Sequence, residues 1–368
     1  MPRPIHAVIH QSHLKHNLAV AKASTPHAAV YAVVKANAYG HGIQHVYPAL
    51  NGADGFALLD LEEAILIRSL GWDGPILLLE GIFHLEDLIA CHHYQLHFVI
   101  HNDLQIQWLE SNTTQNAQYQ VYLKMNSGMN RLGFKPEDYK KAWNRLNKLK
   151  NVNSITHMTH FSDADRHKND LLGISKQLNR FEECTSNLPG LKALSNSAAI
   201  LGYKHIQSDI VRSGIMLYGS SPSYPLHDFK YWNLKPAMSL RSEVIAIQEL
   251  TAGDHIGYGS TFTATQSMTI AVVACGYADG YQRMTKTGTP VLINGQRAPI
   301  VGRVSMDMLT VDISHLTDPK IGDEVVLWGY SSCGEILSID EVAAGSQTLG
   351  YELMCSITQR VKVISQTH

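Results

Sequence analysis

The chain has 368 residues, of which 45% are hydrophobic in type and 17% charged, with a formal net charge of -2. That length exceeds a comfortable single core and suits two domains at roughly 150 residues each. A near-neutral balance with no basic tract excludes nucleic acid or an anionic membrane surface as the feature that organises the molecule.

The opening stretch MPRPIHAVIHQSHLKHNL has no apolar core followed by a small-residue cleavage site. No later window approaches the ~18 apolar residues needed to cross a bilayer, so the expectation is a cytoplasmic protein with neither membrane nor nucleic acid as partner. The five cysteines, Cys91, Cys184, Cys275, Cys333 and Cys355, are odd in number, scattered and never spaced CxxC. They read as reduced thiols rather than a disulfide framework or zinc knuckle. Twenty histidines fall mostly singly in loops, without metal-ligand spacing, and no metal site is expected.

From residue 28 to about 216, short apolar runs alternate with longer amphipathic stretches, the pattern of repeated strand-helix units around a parallel sheet. The eight candidate strands are AVYAVV before Lys35, GFALL at 55–59, PILLL at 75–79, HFVI at 97–100, YQVYLKM at 119–125, SITHMTH at 154–160, LKAL at 191–194 and SDIVR at 208–212. Helical segments lie between them, among them PEDYKKAWNRLNKLK, opened by a proline and two acids. Eight such units favour a (β/α)8 TIM-like barrel over an open doubly wound sheet. After about residue 234 helical periodicity fades, and strand-like runs such as MTIAVVACG and DEVVLWG are separated by NG and GD turns. The expected organisation is a barrel over 11–233 and a mostly antiparallel β domain over 234–368.

The most informative stretch is AVVKANAYGHG at 32–42, where a buried strand runs into Lys35 and then a polar, glycine-containing loop. In a barrel the carboxyl ends of the strands form the active-site face, which places Lys35 where chemistry is done. Taken alone, a lysine there reads rather as a solvated strand-end cation.

VVKANAYGHG is similar to the cofactor-attachment signature of alanine racemases. Further blocks resemble that family in the same order: GFALLDLEEA, KMNSGMNRLGF, MTHFSDAD, LSNSAA, VRSGIMLYG, GYGSTF, GYADGY, APIVGRVSMD and GYEL. The resemblance covers essentially the whole chain. It implies a barrel that binds pyridoxal 5'-phosphate (PLP), a C-terminal β domain joined by the N-terminal segment 1–10, and interconversion of L- and D-alanine. The product would supply peptidoglycan, or the reaction would serve alanine catabolism.

By the same resemblance, Lys35 is the Schiff-base lysine and the base for D-alanine, because the cofactor acts as an electron sink for the α-carbon. Tyr277 of GYADGY is the opposed acid/base, reached from the other subunit of a homodimer with shared active sites. A phenol of pKa about 10 needs help near neutrality, and a relay from Arg212 through His160 is implied. Arg212 would also face the pyridine nitrogen, where a fixed guanidinium disfavours protonation of the ring. The implied phosphate cradle is Tyr39, Ser197, Gly214, Ile215 and Tyr351. Without the resemblance, Ser197 reads as a helix N-cap, Gly214 as a turn glycine and Tyr277 as a packed strand-end aromatic. Arg131 and the partner subunit's Met306 match the substrate contacts, and Lys124 matches a lysine carbamylated in some relatives, with an unmodified lysine or a bound anion as the alternatives.

The competing readings are a PLP decarboxylase on the same barrel, a racemase of serine or broader range, and a non-catalytic PLP-binding regulator. Decarboxylases typically place an acid at the pyridine nitrogen and a cysteine-bearing loop opposite, which Arg212 and Tyr277 oppose. A full second domain carrying GYADGY and RVSMD opposes the regulator.

Overall fold

The computed structural model describes residues 3–112, 114–165 and 174–367. The chain divides into two compact units, one built from Leu18–Ala38 and Ala49–Leu217, the other from Met1–Asn17, Tyr39–Pro48 and Tyr218–His368.

The first strand, β1 (His6–His10), belongs to the second unit. The next eight close the first unit into a parallel barrel: β2 (Ala29–Val33), β3 (Gly55–Leu58), β4 (Ile76–Leu78), β5 (His97–Ile100), β6 (Tyr119–Lys124), β7 (Val152–Met158), β8 (Lys192–Ala193) and β9 (Ile210–Ser213). Closure is made by β9 pairing back onto β2, with Ala29 opposite Ile210 and Ala32 opposite Ser213. The apolar, partly β-branched runs of the sequence are these strands, buried on both faces as a helix-wrapped parallel sheet requires: Ile76, Leu77, Phe98 and Val99 are all 0% exposed. Gly55 opens β3 because any side chain there would meet the Tyr31 ring, whose atoms come within 2.7 Å of an added Cβ. Two helix starts are capped by the side chain that precedes them: Asp60 accepts from Glu62 N–H, and Asn102 from Gln105 N–H. Parallel closure brings the carboxyl ends of all eight strands to one face, and the residues just beyond them line it.

The second unit is a mostly antiparallel sheet organised by the strand β10 (Met238–Leu250). Its first half pairs with Glu324–Tyr330 and its second half with Met268–Val273, the handover falling between Glu243 and Val244, just before an irregularity between Val244 and Ala246. β1 lies antiparallel to β10 and parallel to Lys362–Gln366, so a segment from the start of the chain completes this sheet. The NG dipeptide is a hairpin turn: Asn294 (φ 47°) and Gly295 (φ 79°) join Pro290–Ile293 to Gln296–Pro299. Among the described residues, no helix is long and apolar enough to cross a membrane, and no cluster of histidine, cysteine or acidic residues could hold a metal ion.

Candidate active site

The loop expected after Lys35 is a left-handed helical turn. Ala36, Asn37 and Ala38 have φ/ψ near 54/52°, 51/50° and 55/52°, and Tyr39 follows with φ 52°. None is glycine, and left-handed helix costs an L-residue roughly 1–2 kcal/mol. Such strain persists where surrounding contacts dictate it, and it gathers at functional sites. Two contacts do so here. Ala38 N–H donates to Val34 O at 2.8 Å, and Asn37 N–H donates to Glu63 Oε1 at 2.6 Å. Burial raises the Glu63 carboxyl above its usual range against the opposing effect of that N–H bond. Sequence reasoning missed Glu63, which lies in the family-like block GFALLDLEEA but carries no local sign of its reach to Asn37.

Around Lys35 the strand ends gather charge. Arg212 in β9 is 4% exposed, and its guanidinium donates to Ala193 O at 2.6 Å, Thr159 O at 2.8 Å and Leu194 O at 3.1 Å. The carbonyls at the ends of β7 and β8 thus fix its plane. The same guanidinium lies 3.4 Å from Nδ1 of His160. Burial lowers the Arg212 pKa to about 10, which leaves it charged near neutrality. His160 is held well below the usual imidazole range, first by burial and then by Arg212, Arg131, Lys124 and Lys35. It is therefore a neutral ring whose Nδ1 accepts from Arg212, leaving Nε2–H as donor.

Lys124, the last residue of β6, is 6% exposed, and burial followed by the charges of Arg212 and Arg131 brings its pKa down to about 8. The Glu80 carboxylate opposes them. Arg131 is exposed on the loop that follows β6. A low-dielectric mouth holding this much positive charge is suited to anions such as carboxylate and phosphate.

Ser197 is not the N-cap. Asn196 caps the helix Ser197–Gly202 by accepting from Ala199 N–H at 3.1 Å, and Ser197 is the first helical residue. Its buried hydroxyl accepts from Gly214 N–H at 2.9 Å and from Met216 N–H at 3.4 Å. Gly214 and Ile215 thus sit beside Ser197 at the start of the short helix Ile215–Tyr218.

The other expected residues belong to the second unit, where they form two groups. Tyr39 is buried, stacked on Tyr218 with ring centroids 4.6 Å apart and tilted toward Tyr351 at 5.9 Å. Burial raises its phenol far above the normal range, so it stays protonated. Gly40 (φ 77°) makes this possible, since an added Cβ would lie 2.0 Å from Met354 O. Tyr277, 39% exposed, opens the turn Tyr277–Asp279; its N–H donates to Ser305 O and that of Ala278 to Met306 O, both at 3.0 Å. Gly276 permits the approach, because a Cβ there would stand 2.3 Å from Met306 O. Tyr277 and Met306 are thus presented as neighbours, both exposed.

A closed parallel barrel with a lysine, a buried arginine and a neutral histidine at its carboxyl face, followed by a β domain that presents an exposed tyrosine, defines a class of two-domain barrel enzymes. The chain belongs to the alanine racemase family of isomerases: "Alanine racemase, N-terminal domain" matches residues 9–222 and "Alanine racemase, C-terminal domain" matches 237–365. It is 60% identical over 367 residues to an alanine racemase of Acinetobacter baumannii strain SDF, covering 100% of both chains. It is 55% identical to one of Leptothrix cholodnii, covering 98% of this chain and 97% of that one. Its fold is similar to that of the biosynthetic alanine racemase of Pseudomonas aeruginosa, with a TM-score of 0.93, 41% identity and 99% of each chain covered.

Proposed function

We propose that the protein binds PLP at the barrel mouth and interconverts L- and D-alanine by a two-base mechanism. The observation that carries this is the cluster of Lys35, Lys124, His160 and Arg212 at the strand ends, a cationic group in which the His160 imidazole is neutral. The barrel's donors fit the cofactor: Ser197 and the Gly214 N–H are hydroxyl and backbone donors of the kind that hold phosphate, and Ile215 stands beside them. The resemblance implies that Tyr39 and Tyr351 would add two phenols. When bound, the cofactor supplies an electron sink that makes the substrate's α-hydrogen acidic enough to remove.

The protein's own residues do the rest. Lys35 holds the cofactor and takes or returns the α-proton on one face. The strained turn behind it limits the directions its amine can sample. Arg212, charged and locked by three carbonyls, cannot donate its proton to a ring nitrogen near neutrality, and this opposes routes that need a protonated ring. Arg131 provides a fork for the substrate carboxylate, with the partner subunit's Met306 beside it.

Tyr277 carries the proton on the opposite face, acting in the site of a second copy. The exposure of Tyr277 and Met306 supports a homodimer with shared sites. His160, neutral and oriented by Arg212, is the hydrogen-bond donor that favours the phenolate. Lys124 suits carbamylation, since an amine brought down to about 8 has an appreciable neutral fraction, and that form adds carbon dioxide with loss of a proton. The resulting anion would pair with Arg131. Two bases serve both directions, so one geometry fits D-alanine supply for peptidoglycan or alanine catabolism, in the cytoplasm.

The test is to purify the protein with PLP, record its visible absorbance and follow both alanine enantiomers in wild type and Lys35→Ala. The expected result is a yellow wild type that racemises alanine and a variant that has lost both properties. A colourless wild type, or a coloured one that releases carbon dioxide instead, overturns the reading.

A further inference from the structure

We propose that Asp279 is a positioning residue: a buried carboxylate, gripped by arginines from both ends of the chain, that locks the turn carrying Tyr277 to the loop carrying Met306. Asp279 is 0% exposed, and its Oδ2 accepts from Gly276 N–H at 3.0 Å, closing the turn on itself. The same oxygen accepts from an Arg3 amino group at 3.1 Å, and Oδ1 faces Arg360 Nε at 3.4 Å. Both arginines then continue to the neighbouring loop. Arg3 donates to Asp307 O at 2.8 Å, and Arg360 donates to Asp307 Oδ1 at 2.7 Å.

The arrangement explains why a charge is buried at all. A neutral cap would satisfy Gly276, but only a carboxylate holds two guanidiniums, and only the guanidiniums tie this turn to Asp307, the residue after Met306. The turn has further anchors. Thr358 Oγ1–H donates to Ala278 O at 2.8 Å, and Ser356 Oγ–H to Gly280 O at 2.7 Å. Gly280 (φ 105°) is required, since an added Cβ would lie 2.3 Å from Ser356 O. The backbone around Tyr277 is thereby braced from three segments: the N-terminal Arg3, the 305–307 loop and the stretch 356–360. The carboxylate is the piece whose removal takes away the turn's contacts with both arginines, Arg3 and Arg360, together.

The inference rests on the reading of Tyr277 as one of two proton carriers, and the test separates the two claims. L- and D-alanine are equal in energy, so any defect must lower kcat/KM equally in both directions. Isotope effects are not so constrained. If Asp279→Asn misaims Tyr277, proton transfer at the tyrosine becomes slower relative to transfer at Lys35. The α-deuterium effect on L-alanine then rises while that on D-alanine falls.

The expected outcome for Asp279→Asn is a loss in kcat of about a hundredfold, the scale of a ~1 Å misplacement. KM, dimer content and cofactor absorbance should be little changed, and the two isotope effects should move in opposite directions. Arg3→Ala and Arg360→Ala, on partly exposed side chains, should give the same split in milder form, with Arg360→Lys restoring most of the rate. These variants carry the test if Asp279→Asn does not fold. Isotope effects that move together, or stay fixed while the rate falls, overturn the positioning role. Tyr277→Phe is the control: it should not racemise alanine, and unimpaired racemisation by that variant would overturn the two-carrier reading itself.

Discussion

At the scale of single residues, burial decides what the site's groups can do. Lys124 shows the sign of the effect. Its pKa falls from about 10.5 in the unfolded chain to about 8 in the folded one, so burying the cation costs stability in full below pH 8. The cost is relieved as pH rises through 8 toward the unfolded value, a change of roughly 3 kcal/mol at most. In buffer free of carbon dioxide, urea unfolding of wild type should therefore show a gain between pH 7.5 and 10 that Lys124→Met lacks, with the variant the more stable at the lower pH. A wild type and variant with parallel pH dependence would contradict the assigned shift. Lys35, Tyr277 and Arg212 are legible in the sequence because each stands in a long family-like block. The carbonyl cage around Arg212 is not legible, because its acceptors at Thr159, Ala193 and Leu194 are backbone atoms that leave no mark in the sequence.

At the scale of elements, apolar patterning locates the barrel strands to within a few residues but gives no sign of the turn after the first of them. The run AVYAVV is β2 because its side chains are buried on both faces. The next residues, Lys-Ala-Asn-Ala-Tyr, have the composition of a loop, since nothing in alanine or tyrosine signals a left-handed turn, and only the neighbouring Gly40 and Gly42 hint at positive φ. The run SITHMTH likewise extends past the end of β7, which stops at Met158 and leaves His160 outside the ladder to meet Arg212.

Strain in the turn makes a prediction of its own. Ala36→Gly removes the left-handed penalty and adds unfolded-chain entropy, for a net stabilisation of about 1 kcal/mol. It also frees the backbone beside Lys35. Equilibrium unfolding should show the gain and steady-state assays a several-fold lower kcat. A variant both more stable and equally active would show that the strain does not serve the lysine.

At the scale of the whole molecule, the change of texture near residue 234 points to two domains, while the compact units of the structure divide at Leu217 and Tyr218 and the second also takes in Met1–Asn17 and Tyr39–Pro48. No pattern shows that residues 6–10 complete the sheet of the second unit, because a five-residue strand carries no label for its partners. The resemblance to alanine racemases supplies that point. What neither composition nor pattern displays is the proposed division of proton carriers between subunits: Lys35 and Tyr277 lie in different units of one chain, and the proposal has a second copy bring them together.

That division is tested most directly by mixing two inactive proteins. Lys35→Ala and Tyr277→Phe are each purified, then unfolded and refolded together so that subunits exchange. A mixed dimer has one site with both an intact lysine and an intact tyrosine, so the mixture should racemise alanine where neither parent does. A refolded, dimeric mixture as inactive as its parents would contradict the account.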